Sequence, residues 1–557
     1  MELVDRKDTA ISLFIFWFFV LLYSFFRFSE EVLDSSNIIY YLITREETGT
    51  PLIFSPRHYL STVWFYAWVY LAGVLGYGRV ELSSSVASLY ATTLNRVVML
   101  NSIVVAATLS ITYIISRIFG AGRKESAVAV GLFGVATSTW LLATSAERQL
   151  VGIFLIGSGM LASTFLRTKH LTHFVVAGFI SSLLIILSIL TYLPLIMFFP
   201  VIGTLWVIGV KWEGGSEETG RRSSKIRTVC FCTIFVGTYI LIKMVTGISM
   251  MSVSGHAIAQ FAFYANPSST DYWSALDHQI VLNNLFALLC YFGGWVSIPG
   301  VHEISIHERM KDITFLVSAS LSAILVGTIF YWSLSNLRRY FLHARGTRWI
   351  LHSIRWDRGI AEAMFAVWVI IGFVVVMVSR VGTSVEFWYL VIWGAVPLLA
   401  LRGSKVLGSP YGKVMVGLPV LLLAVNAIAG MDNFKSDFRV RNEGSIAQVT
   451  EVGVVMEAVG EKDIIVGDTL NSSVYWLRLL SGGKVKFAFL DWLSTQELVT
   501  VLNETVELGG SIYVSQDMLK FKPTESDRKL FKRLHSESFF ENQALIMRHY
   551  RLGDLEI

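Results

Sequence analysis

Two carboxylates, Asp34 and Glu147, stand just beyond long apolar stretches of this chain, and three cations, Arg57, His58 and Arg148, stand in the same kind of setting. A carboxylate can take a proton from an attacking hydroxyl. The planar fork of arginine suits a phosphate, and positive charge stabilises a phosphate that departs. These residue types together suit group transfer from a lipid phosphate to a hydroxyl. Such chemistry needs a place where an aqueous acceptor meets a membrane-held donor, which is the membrane surface. Arg380 and Glu386 flank a second entrance of the same kind. Each residue also has a plainer role. Asp34 suits the N-cap of a helix over Ser35–Ile43. Glu147-Arg148 suits a solvated turn or local ion pair. Arg57 and His58 suit headgroup anchors, and Arg380 a snorkelling helix end.

The elements that must position these residues follow from composition. Of 557 residues, 54% are hydrophobic and 16% charged, against about 45–50% and 25% in soluble domains. Mean hydropathy is +0.58. A single soluble globule and intrinsic disorder are both excluded. A net charge of +5 gives no nucleic-acid footprint. Cys230, Cys232 and Cys290 lie in apolar surroundings, and Cys230-x-Cys232 has neither zinc nor thioredoxin spacing, so they read as membrane-embedded thiols.

A span needs about 20 apolar residues. The first is Ala10–Phe26. No small-residue cleavage site follows it, so it reads as an uncleaved helix. Further spans are expected over 95–118, 126–144, 148–166, 172–190, 193–210, 228–247, 313–335, 360–379, 386–402 and 411–430, eleven in all. Basic residues cluster in 336–358 and 211–227, and recur at Arg123-Lys124, Arg167-Lys169 and Arg402-Lys405. A cytoplasmic N-terminus puts all five loops inside. Two aromatic-rich stretches, Tyr59–Leu75 and Leu282–Ile298, read as helices lying at the outer surface; the alternative is thirteen spans with both crossing. Residues 1–430 thus form the membrane body, with outer loops at 27–94 and 248–312.

The tail, 431–557, is polar and has no span. Ile464–Val466, Val485–Leu490 and Ser511–Val514 read as strands, and 471–481 as a helix, which makes a small extracytoplasmic α/β domain. The sequons at Asn471 and Asn503 agree with that side, though such triplets are common.

Several strings now line up. Asp34-Ser-Ser-Asn-Ile-Ile-Tyr40 opens the first outer loop, and Ser55-Pro-Arg57-His58-Tyr-Leu60 precedes the aromatic helix. Leu94-Asn95-Arg96 begins the second span and Ser116-Arg117-Ile118-Phe119-Gly120 closes it. Glu147 stands in the second outer turn, and Ser384-Val-Glu386-Phe-Trp-Tyr389 precedes the tenth span. In this arrangement the chain resembles the GT-C glycosyltransferases: the protein O-mannosyltransferases, the aminoarabinose transferase and the oligosaccharyltransferase catalytic subunit. The resemblance covers most of the chain but rests on no diagnostic motif. The adjacent Asp-Glu of the mannosyltransferases is absent, since Ser35 follows Asp34, and so is the WWD-type signature of the oligosaccharyltransferase.

The resemblance implies a GT-C-like, α-helical polytopic membrane fold with a C-terminal α/β domain. It implies transfer of a sugar from a polyprenyl-phosphate donor to a protein, glycan or lipid acceptor at the outer face of a cell membrane. Asp34 and Glu147 would be catalytic; Arg57, His58, Arg148, Tyr40 and Glu386 would bind substrate. A divalent cation, magnesium or manganese, stays open: the oligosaccharyltransferase holds one between such carboxylates and the mannosyltransferases do without.

Other classes compete. A transporter or lipid flippase would show internal repeats and broken helices with midplane charges; no repeat is evident, and the notable charges are at the rim. A scaffold with a partner-binding tail is the third class. His302-Glu-Ile-Ser-Ile-His307 has zincin composition at the wrong spacing, since residues five apart do not share a helix face. No Gly-rich nucleotide loop follows a strand, which argues against a cytosolic nucleotide-sugar donor.

Overall fold

The structure is a computed structural model, and it describes residues 5–28, 39, 42, 60–80, 85–147, 149–167, 171–192, 195, 202–203, 206, 229–240, 278–289, 291–293, 313–344, 358–377, 385–407, 410–429, 434–435, 459–460, 462–467, 486–489, 495–515, 535–538 and 547–551. The chain divides into two compact units. One comprises Met1–Phe28, Glu47–Leu71 and Val97–Ser436; the other comprises Ser29–Glu46, Ala72–Arg96 and Asp437–Ile557.

The first unit is helical. Its elements, of which the end of α2 and the start of α3 belong to the other unit, are α1 (Arg6–Phe25), β1 (Arg27–Phe28), α2 (Ser61–Val74), α3 (Ser85–Ile118), α4 (Arg123–Gly134), α5 (Thr137–Ala143), α6 (Gln149–Thr164) and α7 (Leu171–Thr191). Then come α8 (Val229–Ile240), α9 (His278–Leu289), α10 (Ile313–Ala344), α11 (Arg358–Met377), α12 (Val385–Leu407), α13 (Pro410–Ala429) and β2 (Phe434–Lys435). The first residues of α2 and α3 aside, these follow the apolar runs. Among the described residues, five helices are long and apolar enough to cross a membrane, at Arg6–Phe25, Ser88–Ile118, Thr172–Thr191, Ala319–Arg338 and Gly359–Met377. The chain is a multi-pass membrane protein. Shorter apolar helices occupy four more of the expected spans, at Gln149–Thr164, Val229–Ile240, Trp388–Gly403 and Val416–Ala427. The expected span 193–210 lies almost wholly outside the described residues.

The stretch 126–144 is not one continuous helix. It breaks into α4 and α5, which meet at 68°. Ala136 takes an extended backbone (φ −60°, ψ 135°) and ends the helical run. A break at this depth frees carbonyls and N–H groups that no water is at hand to satisfy. The protein supplies their partners. Tyr23 donates its hydroxyl to Gly134 O at 2.7 Å, and Asn426 Nδ2 donates to Val135 O at 2.9 Å. The N–H groups of Thr137 and Ser138 donate to Phe292 O and Tyr291 O, at 3.3 and 3.2 Å. Those carbonyls lie just past the end of α9. Asn426 also reaches Phe292 O, at 3.0 Å, and Ser322 Oγ accepts from Phe292 N at 2.9 Å. Two broken ends therefore satisfy each other.

The two aromatic-rich stretches form short helices. The 14 residues of α2 extend about 21 Å and the 12 of α9 about 18 Å. The hydrocarbon core is about 30 Å thick. Each helix is shorter than that, as are α6 and α8. Trp64 on α2 donates to Thr191 Oγ1 at 3.0 Å, while Phe65 is buried.

Close helix contacts use glycine. A Cβ on Gly134 would lie 2.2 Å from the ring of Phe19, and one on Gly394 would lie 2.4 Å from Trp368. Small residues of this kind let helices approach where lipid offers no hydrophobic drive. The start of α1 is tied differently. Asp5 caps it, accepting from Lys7 N and Asp8 N, while Asp8 accepts from Asp5 N, a reciprocal capping box. The Asp8 carboxylate is buried and takes Tyr113 Oη at 3.0 Å, Arg117 Nε at 2.9 Å and Arg123 Nε at 3.0 Å. This cluster fixes α1 to the turn between α3 and α4.

In the second unit, β3 (Ile464–Gly467), β4 (Lys486–Phe489), α14 (Thr495–Glu507), β5 (Ile512–Ser515), β6 (His535–Ser538) and β7 (Met547–Arg551) make a mixed sheet of order β4-β3-β5-β7-β6. β4 and β5 run parallel to β3, and β7 runs antiparallel to β5 and β6. Ile464, Ile465 and Val466 are consecutive and all buried, as a central strand covered on both faces requires. All three expected strands form. The helix expected over 471–481 lies outside the described residues. α14, β6 and β7 are additions. α14 carries a Ser494-x-x-Glu497 start and ends at Gly509, whose φ is +76°. The Asn503 sequon lies on this helix with Thr505 buried, not on a surface loop, so it lends no support to an outside location.

Asn426→Leu is expected to lower stability by roughly 1–3 kcal/mol for each carbonyl it leaves without a donor. Thermal unfolding in detergent reads this, and an unchanged midpoint would refute the bridging role. A second expectation concerns pH. The Asp8 N–H, and after it the Arg123 guanidinium, hold the Asp5 carboxyl below its usual range. A lowered folded pKa stabilises above the unfolded value of about 3.9 and is lost as pH falls through the folded one. The stability gap between wild type and Asp5→Asn should be constant above about pH 5 and vanish below that window.

Candidate functional site

Glu147 is the expected site residue whose side chain the structure describes. It sits in the turn between α5 and α6 and is 1% exposed. The solvated-turn reading is thereby corrected. An ionisable side chain buried in a membrane body marks a functional place by default.

The turn is built by its neighbours. Ser102 on α3 donates its hydroxyl to Ala143 O at 2.9 Å, taking up the last carbonyl of α5. One residue earlier, Asn101 Nδ2 donates to Ser145 O at 2.7 Å and to Glu147 O at 3.2 Å. Two adjacent polar residues of α3 thus hold three carbonyls of the turn. The Glu147 carboxylate in turn accepts from Gln149 Nε2 at 3.1 Å, across the first turn of α6. Carboxylates are favoured near a helix N-terminus, where the macrodipole is positive. At its other end, α5 is held by the Tyr291–Phe292 turn described above, and Trp140 Nε1 donates to Phe26 O at 2.7 Å. The carboxylate therefore rests on a segment pinned at both ends.

Asp34, Tyr40, Arg57, His58, Arg148 and also Arg380 lie outside the described residues. Glu386 lies on the first turn of α12, and its side chain is likewise outside them. Glu147 is thus the one member of the expected set whose surroundings can be built. Asn101, Ser102 and Gln149 were not singled out by the sequence reading. The signal for them is plain in hindsight: Asn101-Ser102 is a polar pair inside an apolar helix, and Gln149 stands two residues from the acid.

No group of three or more His, Cys, Asp or Glu side chains converges among the described residues. Glu147 supplies one oxygen donor set for a cation; Asp34, the second carboxylate that a bridging ion would need, is outside the described residues.

No family model matches the chain, and no curated protein does. Two solved structures are among those to which the chain is similar. Both are of ArnT from Cupriavidus metallidurans. The form bound to undecaprenyl phosphate is 10% identical, with 98% of each chain covered and a TM-score of 0.47. The apo form is 10% identical, with 98% of this chain and 97% of that chain covered and a TM-score of 0.37.

Gln149→Leu removes one donor from the buried carboxylate. Hydrogen bonds to charged groups are worth about 1.5–3 kcal/mol, and a loss of that order is expected. Thermal unfolding of the variant beside Gln149→Asn measures it. A variant as stable as wild type would show that the contact carries nothing.

Proposed function

We propose that the protein is an integral-membrane glycosyltransferase that moves a sugar from a polyprenyl-phosphate donor to a hydroxyl acceptor at the outer membrane face. The observation that carries this reading is the buried Glu147 carboxylate on its pinned turn. The carboxylate is almost wholly withdrawn from solvent and accepts from the Gln149 amide.

The chemistry assigns the remaining parts. Asp34 takes the proton from the acceptor as it attacks the anomeric carbon. Arg57, His58 and Arg148 stabilise the phosphate that leaves. Tyr40 and Glu386 bind substrate, and α2 guides the lipid chain at the surface. Glu147 orients the donor. The acceptor is a protein, a glycan or another lipid. The N-terminus is cytoplasmic and the α/β tail extracytoplasmic in this reading. A magnesium or manganese ion between Asp34 and Glu147 is compatible with it, since a hard cation takes carboxylate oxygens.

One observation favours transport instead, the break between α4 and α5, because broken helices mark transporter sites. Its freed backbone groups, however, bond to Tyr23, Asn426 and the Tyr291–Phe292 turn. They are filled by protein and not offered to an ion.

The test uses purified protein, radiolabelled polyprenyl-phosphate sugars and a crude membrane acceptor fraction. Wild type should transfer label. Asp34→Asn should lose at least about a hundredfold, the usual scale of a general base, and Glu147→Gln should lower transfer as well. Full transfer by Asp34→Asn would refute the base. No transfer by folded wild type with any donor, together with flux of the lipid across sealed vesicles, would move the protein to the transport class.

A further inference from the structure

Asn101 is built into the Glu147 turn in a way that leaves half of its side chain unused. Its amide nitrogen serves two backbone carbonyls, Ser145 O and Glu147 O. Only the NH2 end of an amide can serve two carbonyls, so the orientation of the group is fixed. The oxygen Oδ1 is then directed to the opposite edge of the amide plane. The residue is 0% exposed, and Oδ1 meets no hydrogen-bond donor among the described residues. Buried acceptors in this condition are rare because they forgo both water and a partner.

The ligand that fits is defined by what surrounds that oxygen. Oδ1 accepts, and so does the carboxylate of Glu147, whose backbone carbonyl Asn101 holds. A phosphate is itself an acceptor and carries negative charge, so it is repelled. A neutral hydroxyl donates to Oδ1 without that conflict, and dependence on a chelator would mark a cation instead. We infer that Asn101 Oδ1 binds a ring hydroxyl of the sugar on the polyprenyl-phosphate donor, while the phosphate of that donor is held elsewhere. This assignment rests on the glycosyltransferase reading and adds a sugar-binding residue to it.

The experiment measures lipid binding by full-length protein in nanodiscs. The probes are bare undecaprenyl phosphate, the lipid seen bound to ArnT, and the same lipid carrying glucose, mannose or arabinose. The sugar bound most tightly by wild type is then used. Asn101→Ala should weaken the sugar-linked lipid about tenfold, the scale of one unmade hydrogen bond, and leave the bare lipid unchanged. Equal weakening of both lipids, or of neither, would overturn the proposal. So would the same selective loss in Ser102→Ala, which disturbs the turn without touching Oδ1. A chelator that abolishes the preference for the sugar-linked lipid would show a cation at the site and also overturn it. Should Asn101→Ala fail to fold, wild type with a monodeoxy series of the sugar decides. One position should lose about tenfold; no loss at any position refutes the assignment. If folded wild type binds none of the lipids, it is the glycosyltransferase reading itself that fails.

Discussion

The structure depends on one constraint: a helix that ends inside an apolar body must find partners for its last carbonyls within the protein. Three asparagines meet it in the same way. Asn426 bridges Val135 O and Phe292 O, Asn284 bridges Val376 O and Met377 O at 3.1 Å each, and Asn101 bridges Ser145 O and Glu147 O. In each case one amide NH2, carried by one helix, closes the end of another segment. A neutral amide suits the task. It has two donors in a plane, it is short enough to be fixed by packing, and it adds no charge to be desolvated.

Charge is kept for a different use. Asp8 is buried but faces Arg117 and Arg123, and Glu362 faces Arg402 at 2.8 Å. A buried ion pair of this kind contributes little net stability, because desolvation offsets attraction, yet losing one partner is severe. Such pairs fix a single arrangement. Here they fix α1 to the α3–α4 turn and α11 to α12. The amide bridges do the same for the helix ends. Between them the two devices tie α1, α11 and several helix ends to their neighbours.

Much of this order was legible in the residues. Apolar runs of about 20 residues give the helices, because the bilayer sets their length. The consecutive Ile464-Ile465-Val466 gives the central strand, because only a strand covered on both faces tolerates it. The break at Val135–Ala136 was not legible. The run 126–144 stays apolar throughout, and what bends it is a set of partners from residues 23, 291, 292 and 426, far away in sequence. The site divides along the same line. Glu147 is visible as an acid in an apolar context, but Asn101 and Gln149 gain their meaning only when α3 and α6 meet at the turn. α14 was missed for a third reason. Its Ser494-x-x-Glu497 start and Gly509 stop are local signals, passed over beside the stronger strand patterns on either side.

The position of Glu147 follows from these pieces together. A continuous helix over 126–144 would carry the chain past this level on one axis. The 68° bend instead turns a seven-residue segment, α5, aside. Seven residues extend only about 10 Å, so fixing both ends of α5 fixes everything between. One end is held by the Tyr291–Phe292 turn and the other by Asn101 and Ser102. Group transfer gains most from reactive groups whose geometry is set before substrate arrives, since a displacement of about 1 Å already costs about a hundredfold in rate. The helix break and the amide bridge are therefore parts of one device. The break aims the turn, and the bridge stops it from moving.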